Sequence, residues 1–396
     1  MCAGELAVGR KVIGATMSQI VEIAEARLRD IPAYRPGRPS PGLPSGKLSS
    51  NESAFGPAPA VRAAVMAAVA NVNHYPEQRR ALDLLAIDAH VHPSQIILTN
   101  GSDELCYLIA NVFLGPGRVA VLGDPCYQID ATASRLSGAT LRLVPLRDGG
   151  HDLENMVKAA ADASVVWLPS PHNPTGVMVD TGELERFLER VPAGCLVVLD
   201  EAYRAFADPE FQPRVVELLA AHSNLVIQRT LSKDWALAGI RAGYAIASTE
   251  LVEWLARARS PFSMNSLALA AIEAGRNGEG WRNMAVARVR EQRSLLEQEL
   301  TRLSIDYIPS QANFVTVRLD ARVVAPALEK SGLVVRAGED LGMPGWVRIS
   351  VGWAPPMAEL RMVLRTIASS TRSAGSCNDV ANLEVSIADS DESSER

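Results

Sequence analysis

Cysteine is scarce in this chain and cannot be paired off: Cys2, Cys106, Cys126, Cys195 and Cys377 are an odd number with no C-x-x-C spacing. That argues against a disulfide framework and a zinc site, and it points to a reducing compartment, the cytoplasm. Long apolar runs are missing as well. None approaches the roughly 18 residues of a membrane span, and the opening MCAGELAVGRKVIGATM has no extended apolar core before a small-residue cleavage site. Basic residues are neither in excess nor clustered, and the formal net charge is −6, so neither nucleic acid nor an anionic membrane is an expected partner. There is no Walker-type glycine loop and no G-x-S-x-G elbow. His90 and His92, two apart in HVHPSQ, do not form a metal-ligand pattern. The expected partners are small molecules.

What is present is enough apolar material for a large buried core: 396 residues, 47% hydrophobic and 21% charged. The chain divides by composition. Residues 1–30 read as an arm, with Ile20, Ile23, Ala24 and Leu28 at helical spacing. AYRPGRPSPGLPSG, Ala33 to Gly46, is too rich in proline and glycine for a helix or central strand, and residues 31–72 are expected to join a smaller unit.

From residue 73 to 285 the runs QIILTN, RVAVLG, TLRLVPL, SVVWLPS, CLVVLD, NLVIQRT and RAGYAIA alternate with amphipathic stretches. Such runs, apolar on both faces, predict an α/β domain with a mostly parallel seven-stranded sheet covered by helices. Residues 286–370 hold a long charged helix and the strands NFVTVRL, GLVVRA and WVRISVG, a separate α+β unit. Residues 371–396 are polar and acidic, and read as a disordered tail.

Ligands of open α/β sheets gather beyond the carboxyl ends of the strands, and four such ends carry chemistry. In TNGSDE, a strand stops at Gly101 and a helix starts at Ser102 and Asp103, which is either a cradle of amides for an anion or an ordinary cap. SPHNPTG places Asn173 at a turn. CLVVLDEAY ends a buried strand in Asp200, whose carboxylate needs a partner: a protonated pyridine nitrogen or a structural arginine. RTLSKDWALAGIRAGY brings Thr230, Ser232, Lys233 and Arg241 together at the end of a fourth strand. Arg348 and Arg336 interrupt apolar strands, so each calls for an anion, either an internal carboxylate or a substrate.

Taken in order, KLSSNESAFGPAP, HYPE, TNGSDE, SPHNPTG, DEAY, RTLSKDWALAGIRAGY, PFSMNSLA, SQANFV and WVRISVG resemble the fold-type I aminotransferases, in particular the histidinol-phosphate aminotransferase group, over roughly Ala33 to Ser369. The resemblance implies pyridoxal 5′-phosphate as cofactor. It implies Lys233 as the Schiff-base lysine and proton carrier, Asp200 on the ring nitrogen, Asn173 and Tyr203 on the ring oxygen, and Tyr127 stacked on the ring. Gly101, Ser102, Asp103, Thr230, Ser232 and Arg241 would surround the phosphate, joined by Tyr75 from a partner subunit, hence a homodimer. Arg348, Arg336, Asn51 and Tyr34 would bind substrate.

The implied activity is amino transfer from histidinol phosphate to 2-oxoglutarate, an amino donor and a 2-oxo acid taken in turn by one site. An aromatic or specialised-pathway transaminase, an O-phosphothreonine decarboxylase and a non-catalytic cofactor-binding regulator are the alternatives. Two departures stand out. Asp130 replaces the aromatic residue usual three positions after the stacking tyrosine; facing the pocket it would favour a cationic substrate group and repel a phosphate, and it is expected instead as a helix-start carboxylate facing solvent. Trp235 is bulkier than usual.

Overall fold

The computed structural model describes Leu28, Ile31, Ala33 and residues 36–40, 46–211 and 214–373, with side chains to residue 369. The rest of the 1–30 arm, Tyr34 and the tail beyond Ser373 lie outside the described residues.

A two-residue strand, β1 (Lys47–Leu48), comes first, and seven strands follow it: β2 (Ile96–Thr99), β3 (Val119–Asp124), β4 (Thr140–Pro145), β5 (Val165–Pro169), β6 (Leu196–Asp200), β7 (Leu225–Thr230) and β8 (Gly243–Ile246). These seven form one sheet in the order β2-β8-β7-β6-β5-β3-β4. All neighbours are parallel except β8, which runs against both β2 and β7. The central strands β5 and β6 are buried at every position, which is why their sequences are unbroken apolar runs. Alternate residues feed two cores. Ile97, Val165 and Val198 pack under the helices Ser102–Phe113 and Gln128–Leu136, while Leu98, Val166 and Val197 face the opposite helical layer.

After a 25-residue helix, Glu279–Leu303, come β9 (Tyr307–Ile308), β10 (Phe314–Val317), β11 (Val334–Ala337) and β12 (Val347–Ser350). With β1 they make a second sheet, β1-β11-β12-β10-β9. Its own core includes Leu48, Phe314, Val347 and Leu360. β1 brings the N-terminal segment into this unit through parallel pairing with β11. The helix Pro59–Ala68 goes the other way, because Ala58 and Val61 pack in the large core, where Gly278 lets them approach closely. The last helix, Ala354–Ser373, runs three residues into the stretch expected to be a tail. Among the described residues no helix is long and apolar enough to cross a membrane.

Candidate active site

Parallel strands aim their carboxyl ends the same way, so β5, β6 and β7 deliver Asn173, Asp200 and Lys233 to one edge of the sheet. The helix Ser102–Phe113 points its first turn at the same place. Gly101, at φ +77, precedes it without a side-chain cap, so the first amides are left for another acceptor. A methyl group at Gly101 would overlap the Arg241 guanidinium, which explains the glycine.

One cavity of about 330 Å³ is lined by Ser102, Asp103, Tyr127, Asn173, Asp200, Tyr203, Thr230, Ser232, Lys233 and Arg241, so the side chains expected from the four strand ends share it. Arg241 bonds Ser232 Oγ at 3.4 Å and pairs with Asp103 at 3.3 Å. Tyr127 donates its hydroxyl to the other Asp103 oxygen at 3.0 Å. Thr230 and Ser232 share a hydroxyl hydrogen bond of 2.9 Å. Lys233 Nζ lies 5.6 Å from the centre of the Tyr203 ring and donates to the Ser50 carbonyl at 3.4 Å.

Asp200 is 6% exposed, and its oxygens accept from two neutral donors, the Ala202 amide at 2.8 Å and the Gln228 side chain at 2.9 Å. Burial pushes its carboxyl up to about 7, and those two hydrogen bonds only partly offset the push. A cation placed against it would restore the charge.

A second cavity of about 560 Å³ shares Ser50, Tyr127, Asn173, Tyr203 and Lys233 with the first and adds Asn51, Arg336 and Arg348. Arg348 is buried, donates to Asn173 Oδ1 at 2.6 Å and to the Ser49 carbonyl at 3.1 Å, and lies over the Phe314 ring at 5.2 Å. Arg336 lies 3.5 Å from Asp340. Asn51, at φ 54, donates to the Tyr203 hydroxyl at 3.1 Å and is tied to Ser350.

Three expectations need comment. Asp130 does not face solvent: it is 1% exposed, beneath the site, because the turn of its helix that carries it faces Cys106, which donates to its carboxylate at 3.3 Å. Tyr75 is 80% exposed and stacks on Phe262 at 4.5 Å, outside both cavities of its own chain. Trp235 lies against Gly275, where any side chain would overlap its ring, with the Arg282 guanidinium at 4.5 Å.

Gln228 was missed. The signal was there, a single polar residue among the apolar positions of NLVIQRT, but its relation to Asp200 exists only through the β6–β7 register, which pairs the two.

Pyridoxal 5′-phosphate presents a dianionic phosphate, a basic ring nitrogen and a phenolic oxygen. The donors here fit it. An uncapped helix start with Ser232, Thr230 and Arg241 could take the phosphate. Asp200 could take the protonated nitrogen, and Asn173 and Tyr203 lie beside Lys233 for the oxygen.

Comparison with known proteins agrees. The family "Aminotransferase class I and II" matches residues 46–367. The chain is 38% identical over 351 residues to histidinol-phosphate aminotransferase 1 of Dechloromonas aromatica, covering 86% of this chain and 97% of the relative. It is 37% identical over 355 residues to the histidinol-phosphate aminotransferase of Brevibacillus brevis, with the same coverage of each. Among solved structures it resembles the histidinol-phosphate aminotransferase of Sinorhizobium meliloti in complex with pyridoxal 5′-phosphate, with a TM-score of 0.75, 27% identity, and coverage of 81% of this chain and 91% of that one. With the four strand ends meeting at one cavity and the family matched over most of its length, the chain belongs to the class I and II aminotransferases and is a pyridoxal-phosphate-dependent transaminase.

Proposed function

We propose that the amino donor is L-histidinol phosphate and the acceptor 2-oxoglutarate, giving imidazole-acetol phosphate and glutamate. The observation that carries this reading is the pair of buried guanidiniums, Arg336 and Arg348, lining a compartment that meets the cofactor cavity at Lys233. A donor with a phosphate and an acceptor with carboxylates must use this site in turn, and a fixed guanidinium fork accepts either oxyanion. Asp124 and Glu339 line the same compartment and offer acceptors to an imidazole N–H. The two relatives compared over most of the chain are named histidinol-phosphate aminotransferases, which supports the donor.

The residues divide the work as follows. Lys233 would hold the cofactor covalently, and its free amine would carry the proton to and from the substrate's Cα. Asp200 would keep the ring nitrogen protonated. Asn173, held in place by Arg348, and Tyr203, held by Asn51, would bind the ring oxygen, and Tyr127 would cover the ring face. Arg241, Ser232, Thr230, Asp103, Ser102 and Gly101 form the phosphate cradle. The bound cofactor supplies an electron sink for the carbanion left when Cα loses its proton.

The functional unit in this reading is a homodimer. Met66, Val69, Val72, Tyr75 and Phe262 are exposed apolar side chains, a surface that calls for a cover, and Tyr75 would reach the partner's phosphate cradle. The chain divides in this reading into residues 73–285 as the large unit and residues 31–72 with 286–370 as the small one, a division supported by the separate cores of the two sheets.

The test is a half-reaction screen on purified, cofactor-loaded protein. Histidinol phosphate, phenylalanine, tyrosine, arginine and O-phosphothreonine are added singly, and loss of the cofactor's visible band is followed. Histidinol phosphate should react fastest. Rapid reaction of an aromatic amino acid with none of histidinol phosphate would replace this assignment.

A further inference from the structure

Behind Asp200, on the side away from the cavity, lies a run of polar groups in an otherwise apolar core. Gln228, fully buried, donates to Asp200 Oδ2 at 2.9 Å. Cys106, also fully buried, lies 3.6 Å from Gln228 Oε1, 3.3 Å from Asp130 Oδ1 and 3.5 Å from the Ser102 carbonyl. Asp130 closes the run. It belongs to the helix Gln128–Leu136, which starts directly after Tyr127, and the same helix is anchored by Ser134, which accepts from the Trp167 indole at 3.0 Å. Four side chains from two helices and two strands thus form the run, in which Cys106 and Gln228 connect a second buried carboxyl, Asp130, to Asp200.

The titratable groups facing Asp130 are Asp200 on β6, Asp103 and Cys106 on the helix Ser102–Phe113, and Cys126 in the preceding turn, none of them a cation. Two carboxyls linked through two side chains in a dry interior do not both ionise cheaply. Burial and the neighbouring Asp200 hold the Asp130 carboxyl well above the usual carboxylate range. One proton kept on Asp130 leaves Asp200 as the single charge that meets the ring nitrogen.

We propose that Asp130 is a positioning residue for Asp200, acting through Cys106 and Gln228 to set the orientation and charge of the acid that faces the cofactor's ring nitrogen. The inference rests on the placement of Asp200 at that nitrogen.

The experiment measures cofactor affinity and the visible spectrum of the bound cofactor against pH for the full chain titrated with pyridoxal 5′-phosphate. Wild type, Asp130→Asn, Asp130→Leu, Cys106→Ala and Asp200→Ala are compared, with melting temperature as the control for folding. Asp130→Asn keeps that side chain neutral and polar, so its profile should superimpose on wild type. Asp130→Leu and Cys106→Ala break the run that ends at Gln228, so Asp200 is held less firmly and cofactor affinity should fall about three- to tenfold. If Asp130→Leu does not fold, Cys106→Ala decides. A Cys106→Ala or folded Asp130→Leu profile that superimposes on wild type, or an Asp130→Asn profile that moves to lower pH, overturns the inference. Asp200→Ala separates the two readings: if it too leaves the spectrum and affinity profile unchanged, the placement of Asp200 at the ring nitrogen fails, whereas a change confined to Asp200→Ala removes only the role of Asp130.

Discussion

Arg336 on β11 stands directly opposite Arg348 on β12, in antiparallel register, with both side chains buried and lining one cavity. Like charges opposed across a ladder are unfavourable, a cost that Asp340, 3.5 Å from Arg336, offsets in part and that an anion in the cavity would reduce further. Replacing Arg348 with alanine should lower kcat/KM by about 10- to 100-fold for donor and acceptor alike, the value of charge-assisted hydrogen bonds. Cofactor affinity should stay within a few fold. Replacing Arg336 with methionine should raise KM while changing the melting temperature little, since the repulsion from Arg348 is lost together with the ion pair to Asp340 and the volume is kept. Steady-state kinetics with thermal unfolding reads both.

The Trp235 ring occupies the space where Gly275 has no side chain. Gly275→Ala therefore forces the indole, two residues from Lys233, out of its seat. Overpacking of this kind costs about 1–3 kcal/mol, and cofactor affinity should fall with it. Trp235→Phe in the same chain should restore part of the stability, and a double-mutant cycle measures the coupling. Additive effects of the two substitutions would show that the ring is not held there.

Tyr75 lies outside the two cavities described above, so in the proposed homodimer its effect should pass between subunits. Tyr75→Ala and Lys233→Ala should each be inactive or nearly so as homodimers. Unfolded and refolded together, they should regain up to about a quarter of wild-type activity, because half of the molecules are then mixed and each has one intact site. No recovery on mixing would place Tyr75 outside the partner's site.

A buried histidine, His172, and a part-buried one, His151, predict how stability depends on pH. His151 packs edge-on to His172 at 4.6 Å. Burial pulls the His151 ring down to about 4 from 6.5, and burial and His151 together pull His172 down further. Between pH 6.5 and about 4 the unfolded chain therefore binds protons that the folded one refuses, and stability falls as pH is lowered through that window. Asp200 acts in the opposite sense: raised from 3.8 to about 7, its contribution is present at low pH and is lost as pH rises through 7, until a cation replaces the proton. Urea unfolding of the cofactor-free protein at several pH values should show a shallower loss below pH 6.5 for His151→Gln than for wild type. Equal slopes would remove His151 from the account.

The seven runs that became β2–β8, the long helix, and the groups at four strand ends were all legible in the sequence. A strand buried on both faces must be apolar throughout, so the polar residues that interrupt or end it stand out. β1 and β9 were not legible, since two residues carry no period. The same holds for every relation between distant positions. Asp130 read locally as a helix-start carboxylate, and only the packing of its helix against Cys106 turned it inward.

The sequence by itself thus determined the chemistry available at each strand end, because local patterning dictates where a buried strand stops and which side chain comes next. The tertiary structure alone decided which of those side chains meet: Gln228 with Asp200 through strand register, Arg336 with Arg348 across a ladder, Trp235 with Gly275. Such pairs depend on contacts between segments far apart in the chain, and no local propensity encodes them.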